Sequence, residues 1–106
     1  MYAKEYRRAE ILKNKLYFKE GWVELIYTNH ALERLRERLR GEVVLYPKKV
    51  NISKLNIYKG YSYDDKVLHK IVLRLEFKPT EWIYLVVLPK NRVVKSLWFS
   101  PKTNNE

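Results

Sequence analysis

The sequence has no cysteine or glutamine, only one methionine, and only two histidines and two aspartates. The absence of cysteine excludes disulfide bonds and thiolate metal sites. With so few histidines and aspartates, the chain has few side chains that could ligate a metal. We therefore expect neither a metal nor another cofactor. No apolar run approaches about 20 residues, the length that spans a bilayer. We therefore expect no membrane partner.

The length of the chain, 106 residues, is typical of one domain, and no linker or repeat divides it. We expect residues 1–106 to form a single domain with an N-terminal helix within residues 1–20 and a loose tail over residues 100–106. The first residues lack the apolar block of a signal peptide, which predicts a cytoplasmic protein. Abundant tyrosine, lysine, arginine and glutamate, without glutamine, are typical of thermophilic proteins.

Positive charge is the most prominent property of the composition. The net charge is +10 and the isoelectric point is near 9.8. Such a domain attracts polyanions, and nucleic acid is the first candidate partner. Two other interpretations remain open: a protein that is basic without binding nucleic acid, and an interaction module whose basic surface meets an acidic protein.

The spacing of apolar residues predicts an α+β fold. Periods close to 3.6 residues predict two helices, over residues 2–16 and 30–40. Alternating apolar residues and aromatic or β-branched runs predict strands over residues 22–28, 42–46, 66–77, 82–88 and 93–99, with a shorter one near residues 55–58 in an irregular segment. Short connections favour antiparallel pairing. We therefore expect two helices packed on an antiparallel sheet of about four or five strands.

The second helix carries the first candidate site. Thr28 or Asn29 can cap its N-terminus, and Gly41 suits the left-handed position after its C-terminus. Its apolar side consists of Ala31, Leu32, Leu35 and Leu39. His30, Arg34 and Arg38 form a row away from that side. The helix N-terminus favours a neutral imidazole and binds anions, so a phosphate beside this row would meet a proton acceptor and two cations. The alternative is a solvated charged face.

The stretch "YTNHALERLRER" resembles the RelE/ParE-type toxin-like family, whose signature is Ser/Thr-x-His-Ala-x-x-Arg followed by Glu-Arg. The residues that match are Thr28, His30, Ala31, Arg34, Glu37 and Arg38. The resemblance implies a RelE-like fold of the barnase and colicin type. It also implies a metal-independent endoribonuclease, RNA rather than DNA as the substrate, and an antitoxin-like protein partner.

The resemblance also implies roles for single residues. His30 would be the general acid or base, and Arg34 and Arg38 would stabilise charge on phosphorus. Arg74 and Glu76, on the less apolar face of their strand, would supply a second cation and proton carrier, although they equally suit a solvent-facing pair. The candidate catalytic residues are His30, Arg34, Glu37, Arg38, Arg74 and Glu76. His69 lies on the apolar side of the same strand and is expected to be structural.

A lysine- and tyrosine-rich segment, residues 43–63, is the second candidate site. It contains no acidic residue. Lysines can follow phosphates while aromatic rings stack on unpaired bases; the alternative is a basic loop whose tyrosines cover the sheet. The candidate nucleic-acid-binding residues are Lys48, Lys49, Lys54, Lys59, Tyr58, Tyr61 and Tyr63.

The two candidate sites predict a small basic protein that interacts with nucleic acid. The first hypothesis is a toxin-like endoribonuclease, which rests on the His30 motif. The second is a non-catalytic DNA- or RNA-binding accessory protein of a mobile element or virus, which rests on the net charge and on the lysine- and tyrosine-rich segment.

Overall fold

Strands make up about half of the computed structural model, which describes residues 2–40 and 46–103. The elements in chain order are β1 (Lys4–Arg7), α1 (Arg8–Lys13), β2 (Gly21–Glu24), β3 (Ile26–Tyr27), α2 (Asn29–Leu39), β4 (Lys49–Ile52), β5 (Ile57–Ser62), β6 (Lys70–Lys78), β7 (Glu81–Leu88) and β8 (Val93–Pro101). Neither helix of the described ranges is long and apolar enough to cross a membrane.

Six of the strands form one mixed sheet in the order β1-β5-β6-β7-β8-β3, and β2 and β4 form a separate two-stranded sheet. Strands β5, β6, β7 and β8 pair antiparallel with one another in that order, as the short connections predicted. The last strand of the sheet, β3, pairs parallel with β8. The prediction of two helices on an antiparallel sheet of four or five strands, the RelE-like arrangement, is therefore wrong in strand number, direction and division into sheets.

The prediction of one helix over residues 2–16 is also wrong. Lys4–Arg7 pairs antiparallel with β5 as the outermost strand, and α1 begins only at Arg8. The backbone of β5 would otherwise present an unpaired edge, and pairing with β1 satisfies those amide and carbonyl groups. Tyr6 is buried in this pairing, opposite Gly60. A helical spacing of apolar residues was therefore compatible with an extended segment.

The predicted strand over residues 22–28 divides between two sheets at Leu25. This residue is buried, and its amide donates a hydrogen bond of 2.7 Å to the carbonyl of Lys48.

The irregular segment after Pro47 contains all of β4 and β5. The strand predicted over residues 42–46 falls mostly on residues 42–45, which lie outside the described residues, and Tyr46 is not in a strand. Gly41, the predicted position after the second helix, also lies outside the described residues. Ser100 and Pro101, expected in a loose tail, belong to β8.

One face of the six-stranded sheet forms the core, and we call it the covered face. Its buried side chains include Ile71, Leu73, Ile83, Leu85, Val87 and Leu97. The helices and the two-stranded sheet pack on it through Ile11, Ala31, Leu35, Val50 and Ile52. Burying each large aliphatic side chain contributes about 1.5–3 kcal/mol. This single layer of contacts therefore accounts for most of the stabilisation by apolar burial.

The opposite side of the same sheet is the open face. Strand register places on it Tyr58, Lys59, Tyr61, Lys70, Val72, Arg74, Glu76, Trp82, Tyr84, Val86, Ser96, Trp98 and Ser100. None of these residues belongs to the hydrophobic core cluster or to the half-buried side chains packed on it. Val72 and Tyr84 are buried all the same, among neighbouring side chains on this face. The open face therefore has its own packing, independent of the core.

Candidate nucleic-acid interface

A row of aromatic rings crosses the open face from β8 to β5. Trp98 lies directly opposite Tyr84, and their rings stack with 4.8 Å between centroids and 3° between planes. The ring of Tyr58 meets Tyr84 edge to face, with 5.0 Å between centroids. Tyr84 is only 3% exposed, whereas Trp98 is 38% exposed. Trp98 is therefore the accessible end of a row whose centre is held by ring contacts.

Cationic side chains lie over the rings of the open face. The guanidinium of Arg74 is 4.5 Å from the ring centroid of Trp82 and 5.7 Å from that of Tyr58. The ammonium of Lys102 is 4.3 Å from Trp82 on the same face. Lys70 lies 4.4 Å from the ring of Tyr61. These cation–π contacts hold positive charge among the rings while leaving it near the surface.

Two carboxylates neutralise part of this charge. Glu76 lies 2.7 Å from Lys102, and Glu5, on the neighbouring β1, lies 3.0 Å from Lys59. The hydrogen bond from Lys59 lowers the pKa of Glu5, and the same bond raises the pKa of Lys59. Both partners are therefore charged at neutral pH. Within the described part of the chain, Lys70 and Arg74 have no carboxylate at ion-pair distance, and the face carries a net positive charge.

The candidate catalytic residues occupy two different sides of the molecule. Helix α2 packs on the covered face, with Ala31 and Leu35 buried as predicted and with His30 exposed. Arg74 and Glu76 lie on the open face. The structure therefore does not bring His30 together with Arg74 and Glu76.

The N-terminus of α2 has the predicted cap. The side chain of Thr28 accepts a hydrogen bond of 3.1 Å from the amide of Ala31. His30 follows on the exposed side, and in the described ranges its ring has neither a hydrogen bond nor an ion pair.

No group of three or more histidine, aspartate or glutamate side chains within residues 2–40 and 46–103 could hold a metal ion.

The arginines of α2 reach the edge of the sheet. Arg38 forms an ion pair with Glu81 and lies 5.3 Å from the ring of Phe99. A groove of about 330 Å³ runs between the helix and β8. Its lining consists of Arg34, Glu37, Arg38, Leu97, Trp98 and Phe99. Because β3 pairs with only Val93 and Val94, the later part of β8 borders this groove, and Trp98 is shared by the groove and the open face.

The lysine- and tyrosine-rich segment is divided by the fold. Tyr58, Lys59 and Tyr61 lie on the open face, because β5 is an inner strand of the large sheet. Lys49 lies on β4, and Lys48 and Lys54 flank that strand, in the layer that packs on the covered face. Tyr63 follows the end of β5 and packs its ring 5.0 Å from that of His69, which is exposed rather than buried. Only part of the predicted binding segment therefore joins the aromatic row.

Sequence reasoning missed the centre of the open face. The missed residues are Lys70, Trp82, Tyr84, Trp98 and Lys102. A signal was present in the alternation of β7, where Trp82 and Tyr84 alternate with Ile83 and Leu85. Rings at every second position distinguish one face of a strand from the other. From the sequence, the run over residues 82–88 predicts only a strand.

No protein-family model, no curated protein and no solved structure matches this chain. Membership of the RelE/ParE-type family stays a prediction from the His30 motif.

Proposed function

We propose that this protein binds single-stranded nucleic acid, RNA in preference to DNA, on the open face of its six-stranded sheet. The observation that carries the proposal is the aromatic row from Trp98 to Tyr58, with cations among its rings. Rings on an exposed sheet surface stack on unpaired bases, and each stacked base contributes about 1–3 kcal/mol. The preference for RNA rests on the resemblance of the His30 motif alone.

The geometry favours a single strand over a duplex. Bases in an intact duplex already stack on each other, so a base could stack on Trp98 only after the duplex is locally unstacked, which costs a few kcal/mol. A single strand can present its bases to Trp98 and its phosphates to nearby cations. Lys70 and Arg74 are available on the face itself, and Arg34 lines the groove that borders Trp98.

Endoribonuclease activity is not part of this proposal, because His30 lies on the opposite side of the sheet from Arg74 and Glu76. The activity stays a prediction, which RNA cleavage in EDTA by the wild type and His30→Ala would test. A cytoplasmic location and an antitoxin-like partner likewise stay predictions from the sequence.

A matched pair of tryptophan variants tests the stacking role. Trp98→Ala removes the exposed end of the aromatic row, while Trp22→Ala removes a 67% exposed indole from β2, in the other sheet. Fluorescence anisotropy with a labelled single-stranded RNA should show affinity reduced about fivefold to a hundredfold for Trp98→Ala. Trp22→Ala should bind like the wild type. Equal losses in the two variants, or wild-type affinity in Trp98→Ala, would contradict the proposal.

Salt dependence and strand type give a second readout. The slope of log K against log salt should fall by about 0.7 for Lys70→Gln and for Arg74→Gln, because each removes one phosphate contact to a single strand. Lys13→Gln, at the end of α1, serves as the control and should leave the slope unchanged. A hairpin duplex of the same sequence should bind more weakly. Stronger binding of DNA than of RNA would overturn the stated preference, and stronger binding of duplex would overturn the proposed mode.

A further inference from the structure

We infer a second binding site, separate from the open face, for a nucleotide whose phosphate is a monoester. It is a cavity of about 710 Å³ between the α1–β2 connection, the two-stranded sheet and the turn from β7 to β8. Its lining includes Tyr17, Lys19, Ile52, Leu68, His69, Lys90 and Arg92. None of the rings of the aromatic row and none of the cations over them lines this cavity. The volume is that of a typical small-molecule site.

The wall of the cavity is largely apolar and aromatic. Ile52 and Leu68 are core residues, so this part of the wall is held by the packing of the covered face. Tyr17 is fixed at the mouth, because its amide donates to the carbonyl of Lys66 at 2.7 Å and its carbonyl accepts from the amide of Leu68 at 2.9 Å. The ring of Tyr17 is exposed. A planar base can therefore contact both an aromatic ring and aliphatic side chains.

The charge of the lining has one sign. Lys19, Lys90 and Arg92 contribute three cations, and the lining includes neither an aspartate nor a glutamate. His69 accepts a hydrogen bond of 3.4 Å at Nδ1 from the amide of Tyr63, so the other ring nitrogen can donate. An apolar wall with cationic and neutral donors complements an anion that has a planar apolar body. A phosphate monoester on a nucleoside has this chemistry.

The backbone of Arg92 adopts a conformation that suits glycine, so its side chain can be removed without distorting the turn. Its φ of 58° lies in the left-handed region, which glycine occupies without steric cost. The turn requires this conformation, because the carbonyl of Arg92 accepts a hydrogen bond of 2.8 Å from the amide of Ile26. This hydrogen bond joins β3 to the sheet. Glycine would meet this requirement with less strain, whereas arginine keeps a cation at the cavity.

The test uses the full chain, isothermal titration calorimetry, and AMP and UMP as probes, with adenosine as the uncharged control. We expect the monophosphates to bind at least about tenfold more tightly than adenosine. Arg92→Gly should weaken their binding by about tenfold or more without lowering Tm. Arg40→Gly is the matched control, because Arg40 also has a positive φ, 46°, but does not line the cavity. It should leave nucleotide binding unchanged.

Two further arms identify the source of the nucleotide and separate this site from the open face. If Arg92→Gly weakens binding of a 5′-phosphorylated RNA but not of the same RNA without the phosphate, the cavity binds the end of a strand. If Arg92→Gly weakens binding of the free monophosphates only, the cavity binds a free nucleotide. Trp98→Ala should leave AMP binding unchanged. The inference would be overturned if the cavity bound neither a free monophosphate nor the 5′-phosphate of an RNA. Equal affinities for adenosine and AMP, or equal losses of affinity in Arg92→Gly and Arg40→Gly, would also overturn it.

Discussion

On β7, alternate residues enter two different environments. Ile83, Leu85 and Val87 are completely buried on the covered face, and helices and the two-stranded sheet pack against them. Trp82 and Tyr84 lie on the open face, where rings and cations pack against one another. A strand can therefore be buried on one face by other elements of the chain and on the other by its own cross-strand neighbours.

The two faces also differ in charge. Among the described residues, no carboxylate, lysine, arginine or histidine is buried, so the core of the covered face carries no charge. On the open face, Arg74, Lys70 and two ion pairs lie among the rings. Stability should therefore depend mainly on the covered face, whereas pH and salt should act mainly on the open face.

Adjacent valines on β7 give the sharpest test of this difference. Val87 is fully buried on the covered face, and Val86 is half-buried on the open face. Val87→Ala should lower the free energy of unfolding by about 2–3 kcal/mol, because it removes two carbon atoms and leaves a cavity. Val86→Ala should cost less than about 1 kcal/mol. Urea denaturation measures both, and equal losses would show that the open face is packed as a second core.

Gly60 tests how tightly the covered face is packed at its edge. A Cβ atom at this position would lie 2.8 Å from Cδ2 of Leu68, which is itself buried. Gly60→Ala should therefore lower the free energy of unfolding by about 1–3 kcal/mol through overpacking. The double variant Gly60→Ala with Leu68→Ala should lose less than the sum of the two single variants. Strict additivity in the urea denaturation of this cycle would contradict the steric explanation.

Glu5 should give the smallest effect on stability, and one that depends on pH. The hydrogen bond from Lys59 lowers its pKa below the ordinary value of 4.5. The ionised Glu5 therefore stabilises the folded protein fully above that pH, and this stabilisation is lost as the pH falls through the lowered pKa. The Tm of Glu5→Gln should be slightly below that of the wild type at pH 7, and the difference should disappear in acid. The loss in Val87→Ala should persist in acid. RNA binding should become tighter in Glu5→Gln, since it removes an acidic group.

Local patterns were enough to predict some elements closely. Helix α2, its cap at Thr28 and its apolar side follow from interactions within one segment of about eleven residues. Strands β7 and β8 were also predicted within a few residues, because each is a continuous apolar or alternating run. Two rings of the open face, Tyr58 and Tyr61, were identified for the same reason, from rings interleaved with lysines.

Elements that depend on distant partners were not predictable in this way. β1 is extended because β5 offers it an edge more than fifty residues away along the chain. The bend at Leu25 depends on the carbonyl of Lys48. In both segments the local sequence suits a continuous element, and hydrogen bonds to distant backbone groups decide otherwise.

By itself, the sequence determined the basic charge, the amphipathic helix α2 and the alternation that gives each long strand two different sides. Only the tertiary structure decided which side is covered. The run over residues 82–88 is apolar at nearly every position, so either side could have met the helices. Packing of α1, α2 and the two-stranded sheet on one side leaves Trp82, Tyr84 and Trp98 together on the other. That choice depends on segments far apart in sequence, and it creates the surface that we propose binds nucleic acid.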